Sequence, residues 1–123
     1  MVETGMFDVA AHLDLSKKFA IYPSVDMSAE ISAALDAIAA SNMSVEINTS
    51  GWYKPCEEAY PSPSILRGCL ERGISVLVGA DAHSPEDLIR GYDRAYALLR
   101  EVGFTEIASY AGRQKIMRPI PNP

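Results

Sequence analysis

Apolar and polar positions follow two alternating rhythms along this chain. Four short apolar runs with β-forming residues cover 6–14, 43–51, 73–83 and 103–112, recurring roughly every 30–37 residues. Between them the spacing turns helical. Over 28–41, Ile31, Leu35 and Ile38 recur on one face, with Ala34 and Ala39 filling the stripe. Over 62–73, Ser62 suits an N-cap, Pro63 the first helical position, and Gly73 the residue after the last turn. Over 84–103, Ser84 and Pro85 open a third helix. Glu86 and Asp87 favour its positive end, Leu88, Tyr92, Ala95 and Leu99 form its apolar face, and Gly103 stops it. "SPSILRG" and "SPEDLIRG" read as a faint internal echo of one unit.

The predicted order is β-α-β-α-β-α-β, an α/β class chain whose strands run parallel with right-handed crossovers. Both an open doubly wound sheet and a segment of a (β/α) barrel satisfy that order. "SVLVGA" is continuously apolar, as befits a strand covered on both faces. One domain over residues 1–118 is expected, with a Pro-rich tail at 119–123.

Composition narrows the partners. The chain has 123 residues, 48% hydrophobic, with a formal net charge of −5. An acidic balance argues against general affinity for nucleic acid or anionic membrane, which reward clustered Lys and Arg. Cys56 and Cys69 form no CxxC and leave a zinc set incomplete, so they read as reduced thiols. No apolar run approaches the ~18 residues that span a bilayer. "MVETGMFDVA" lacks the basic start and long apolar stretch of a signal peptide. A soluble, cytoplasmic protein is expected.

Parallel α/β folds build their sites at the C-terminal ends of the strands. Both histidines, His12 and His83, fall at such ends, each with an acid two residues away, Asp14 and Asp81. Residues i and i+2 of a strand share a face. His12 with Asp14, Asp81 with His83, and Glu46 with Asn48 therefore form three candidate pairs. Imidazole and carboxylate are ordinary ligands of Zn, Mn and Fe, so a divalent metal centre is the sharp expectation. Against it stands the plain reading of two hydrogen-bonded histidines. Lys54 is the one cation in the long loop "GWYKPCEEAYPS", placed to meet an anion such as phosphate or merely to face water. Arg113 and Lys115 read as closing the fold rather than the site. No Walker or dinucleotide-type Gly-rich loop, GxSxG turn or Cys-His spacing is found.

"FDVAAHLDLSKKF", "VEINTSGWYKP", "EAYPSPSILRGCLERG", "VGADAHSPEDL" and "AGRQK" together resemble the polymerase and histidinol phosphatase (PHP) superfamily. Within it they are most similar to the histidinol-phosphate phosphatases of histidine biosynthesis. The resemblance implies a (β/α)7 TIM-like barrel with three metals at its strand ends. It also implies hydrolysis of a phosphate monoester, histidinol phosphate. By resemblance, His12 matches a ligand of the second metal, Asp81 one of the first and His83 one of the third. Asp14, Glu46 and Asn48 match strand-end positions behind the ligands or facing substrate, and Lys54 stays a candidate from its loop alone. The family's opening HxH motif and further early ligands have no counterpart. The chain thus matches the C-terminal half of the barrel, about four βα units. The metal site would then be incomplete, and this chain alone inactive. A half barrel exposes strand edges and an inner face, so a homo-oligomer or pairing with the missing half is expected. A non-catalytic remnant or assembly subunit is the alternative, with another PHP phosphoesterase a weaker one.

Overall fold

The computed structural model describes residues 2–122. Met1 and Pro123, at the outer limits of the expected domain and tail, lie outside the described residues. The chain forms a small mixed α/β domain with a three-stranded parallel sheet in the order β1 (Val9–Ala10), β2 (Ser44–Asn48), β3 (Val76–Gly79). Connecting them are α1 (Ser28–Ala40) and α2 (Pro63–Glu71), and α3 (Tyr92–Val102) follows β3. Single 3-10 turns occupy Leu15–Phe19, Thr49–Tyr53 and Pro85–Asp87.

The core lies between the sheet and the helices. Val45 and Ile47 of β2, Val76 of β3, Leu66 and Cys69 of α2, and Ala95 and Leu99 of α3 are all 0% exposed. Leu35 and Ile38 of α1 join them, as the helical spacing predicts. Ile31 and Ala34, read as part of that stripe, face solvent instead. Burial lifts the Cys69 thiol to about 11, which leaves it an unreactive hydrophobe. Leu77, Val78 and Gly79 are half-buried, because β3 is an edge strand rather than one enclosed on both faces.

Gly73 and Gly103 end their helices with φ of 67° and 119°, where glycine is the residue of choice. Ser62 and Ser84 hold the N-cap positions, but neither side chain makes a cap hydrogen bond. The expected helix over 84–103 is broken. A 3-10 turn and a loop occupy its first half, and α3 begins only at Tyr92, behind Gly91 at φ 80°. Leu88, assigned to the helix's apolar face, is therefore 63% exposed. Leu99→Ala is expected to cost about 2–5 kcal/mol, and Leu88→Ser less than about 0.5 kcal/mol. Urea unfolding of the two variants checks this contrast.

The fourth apolar run does not extend the parallel sheet. It forms β4 (Glu106–Ala111), paired antiparallel with β5 (Gln114–Pro119) through a two-residue turn. Gly112 and Arg113 both have positive φ, 55° and 65°, the geometry of a type I′ hairpin turn. The stretch expected to begin a tail at 119 is thus a strand end, and Ile120 behind it is buried.

This hairpin crosses the N-terminal ends of the parallel strands. Tyr110 Oη lies 2.8 Å from Ser44 Oγ and donates to the Asp8 carbonyl at 3.0 Å. Ser44 Oγ in turn meets Ser75 Oγ at 2.6 Å. Arg113 forks onto the Asp8 carboxylate at 2.9 and 3.1 Å, holding that carboxyl below its ordinary value. Lys115 donates to the Asn42 carbonyl at 2.7 Å. Both cations therefore close the base of the sheet, away from the strand ends that carry the histidines.

Candidate functional site

His12 comes two residues after β1 and Asp81 two residues after β3, with φ of 56° and 52°. Non-glycine residues in the left-handed region are uncommon and carry a conformational cost. That backbone turn ends each strand and swings the side chain over the C-terminal edge of the sheet. The two residues meet there: His12 Nε2 stands 3.6 Å from Asp81 Oδ2, and His12 Nδ1 stands 3.6 Å from Glu46 Oε2. Glu46 projects from the middle of β2 and lies over Gly79 of β3. A Cβ on residue 79 would sit 2.1 Å from Glu46 Oε1, so glycine leaves the space this carboxylate occupies.

Asn48, at the end of β2 and fully buried, links the group. Its amide nitrogen donates to His12 Nε2 at 2.9 Å and to Glu46 Oε2 at 3.3 Å. Its amide oxygen accepts from the Ser50 backbone N–H at 2.9 Å and from Ser50 Oγ–H at 2.7 Å, capping the 3-10 turn that follows. Ser50 Oγ also reaches Asp81 Oδ2 at 3.4 Å. His83 Nδ1 lies 2.6 Å from the Asp81 carbonyl. A carbonyl only accepts, so Nδ1 carries the proton and Nε2 keeps a free lone pair, the arrangement common in metal-binding histidines.

Three expected positions are thus gathered (His12, Glu46, Asp81), with Asn48 behind them and His83 on the exposed rim. Asp14 is not with them. The expected His12–Asp14 pairing assumed strand alternation, but β1 ends at Ala10 and His12 turns left-handed. Asp14 instead pairs with Lys17 at 2.8 Å and accepts the Ser62 backbone N–H at 2.9 Å. Lys54 is half-buried at the end of the Thr49–Tyr53 turn.

Sequence reasoning missed Lys17. Its side chain is 5% exposed, ion-paired with both Asp14 and Glu58, and its ammonium sits 5.7 Å from the centre of the Tyr60 ring. It ties the loop after β1 to the long loop after β2. A lysine in "DLSKKF" carries no signal of burial, because Lys is ordinarily a surface residue. Arg90 and Arg94 were missed too. Their guanidinium carbons stand 4.1 and 4.4 Å from the ring centres of Tyr53 and Trp52, clamping the same loop from its other side. Gly91 permits the approach, since its Cβ would come within 3.0 Å of Thr49 Cβ.

Two donors about 2.1 Å from one ion at the tetrahedral angle stand about 3.4 Å apart. The His12–Asp81 separation of 3.6 Å fits that span. Among the described residues, no group of three or more His, Cys, Asp or Glu is drawn together tightly enough to hold a metal ion. None of the described helices is long and apolar enough to cross a membrane.

No family model matches the chain. A protein of Deinococcus radiodurans named probable histidinol-phosphatase is 40% identical over 100 residues. The match takes in 81% of this chain and 38% of that relative. The chain therefore has a histidinol-phosphatase-like relationship over most of its length, and it spans well under half the length of the relative.

Proposed function

We propose that this chain carries part of a metal-dependent phosphatase site of the PHP type, acting on a phosphate monoester, with histidinol phosphate as the substrate. The observation that carries this reading is the meeting of His12, Glu46 and Asp81 at the C-terminal ends of three consecutive parallel strands. Neighbouring parallel strands in sequence order are what a segment of a (β/α)7 barrel requires, and the 40% identity to a probable histidinol-phosphatase supports the same branch.

In this reading His12, Asp81 and His83 hold divalent ions such as Zn, Mn or Fe. A divalent ion bound at such a site activates water and offsets charge on phosphoryl oxygens. The chain's own residues orient that chemistry. Glu46 faces His12 Nδ1, the Asp81 carbonyl faces His83 Nδ1, and Ser50 steadies the Asp81 carboxylate. Lys54 lies in the covering loop as a cation for the substrate's phosphate. The remaining ligands come from the missing half of the barrel or from another copy. The second reading is a non-catalytic half barrel or assembly subunit, in which the hydrogen-bonded cluster of His12, Glu46 and Asn48 only closes the strand ends.

Metal analysis and histidinol-phosphate hydrolysis separate the two readings. Both are run on the chain alone and on the chain fused to the part of the Deinococcus relative that it does not match. The fusion is expected to bind metal and turn over, and Asp81→Ala in the fusion to lose at least about 100-fold in kcat/KM. A fusion with neither metal nor activity overturns the phosphatase reading. Sedimentation of the chain alone is expected to show an assembly larger than a monomer.

A further inference from the structure

We infer that Asn48 is a positioning residue that selects the tautomer of His12. This rests on the reading of His12 as a metal ligand and adds to it the device that prepares the ring before any ion arrives.

An asparagine amide has two distinct ends. The oxygen of Asn48 is already taken by two donors, the Ser50 backbone N–H and the Ser50 hydroxyl. That fixes which way the amide faces, so its nitrogen must point at His12 and Glu46. An amide NH2 only donates. His12 Nε2, 2.9 Å away, must therefore accept, and the ring proton must sit on Nδ1. The Nδ1 side faces Glu46, a carboxylate that can receive that proton's hydrogen bond. The opposite tautomer would set an Nε2–H against the NH2 of Asn48 and turn a bare Nδ1 towards a negative oxygen. Both contacts would be repulsive, and they outweigh the one favourable contact of that tautomer, Nε2–H towards Asp81 Oδ2 at the longer 3.6 Å. Asn48 is fully buried, so its NH2 could not turn to water instead.

The result is an unprotonated Nε2 whose lone pair is held by the Asn48 N–H, with Asp81 Oδ2 3.6 Å away, so an ion that takes this nitrogen displaces a hydrogen bond and not a proton. His83 reaches the same state by a different route, through the Asp81 carbonyl. Asn48 thus serves the loop with one end and the site with the other.

Asn48→Asp separates these two jobs. Aspartate keeps an oxygen for Ser50 and removes the only NH2 donor. Long-range 15N–1H correlation of the histidine rings is measured on the metal-free protein near pH 8, above the ordinary imidazole range. The wild type is expected to show His12 protonated at Nδ1 alone, and Asn48→Asp to put a proton on Nε2. His83 stays protonated at Nδ1, and the Ser50 amide stays protected from exchange. A wild-type His12 protonated at Nε2 overturns the proposal without any variant having to fold. So does an Asn48→Asp protein whose His12 gains no proton on Nε2. Neither measurement involves metal or activity, so a failed phosphatase assay and a failed tautomer assignment are distinct results.

Discussion

Gly51→Ala is expected to destabilise the domain by about 3 kcal/mol or more, a large share of the 5–15 kcal/mol typical of a small domain. The cause is space. Gly51 is buried, and a Cβ there would lie 2.1 Å from the Glu58 carbonyl oxygen and 2.9 Å from Cζ of the Tyr60 ring. Neither neighbour can withdraw easily. The Glu58 oxygen is backbone, and Tyr60 is 1% exposed and bridged to β2 by paired hydrogen bonds with Asn48 at 2.6 and 3.1 Å. The loop after β2 thus folds back on itself with Gly51 at its crossing point. Urea titration should show a lower midpoint with an unchanged slope, the sign of lost native stability. An unchanged midpoint would mean that the loop opens freely.

Lys17→Met should cost nearly as much, about 3 kcal/mol. Removing one partner of a buried ion pair leaves the others desolvated without compensation. Asp14 would keep the Ser62 N–H but lose its cation, and its Oδ1 already lacks a hydrogen-bond partner. Glu58, 38% exposed at its side chain, has water to turn to, so most of the cost falls on Asp14. Asp14→Asn added to Lys17→Met should recover part of the loss. A double-mutant cycle measured by thermal melting reports that coupling. Additive effects of the two changes would show that the pair contributes no net attraction.

Much of the frame is legible from pattern alone. The β2 and β3 runs, α1 and α2 follow from periodicity and helix-end residues, because each buries one face against the core. The misreadings have local causes. His12 and Asp81 shorten their strands by turning left-handed, which no hydrophobic count detects. The helical spacing over 84–103 runs through Gly91, but its positive φ and its closeness to Thr49 and Trp52 make it a break. The strand over "QKIMRP" is not read at all, since its alternation is weak and Gly-Arg is a less familiar hairpin turn than Asn-Gly. At the site, the strand-end candidates His12, Asp81, Glu46 and Asn48 stand together. Strand-end placement misplaced Asp14 and passed over Lys17, whose burial depends on contacts 41 residues away.

The hairpin at the base of the sheet also bears on how the chain folds. The bonds from Tyr110 and Arg113 to Asp8 join residues 102 and 105 positions apart. Such contacts close very long loops and are among the last that a folding chain can form. During synthesis β1 waits for β4 to emerge before its base is sealed, well after β2, β3 and their helices have been made. Until then the Asp8 carboxylate has no cation to hold it, and the base of the sheet is the last part of the domain to be secured.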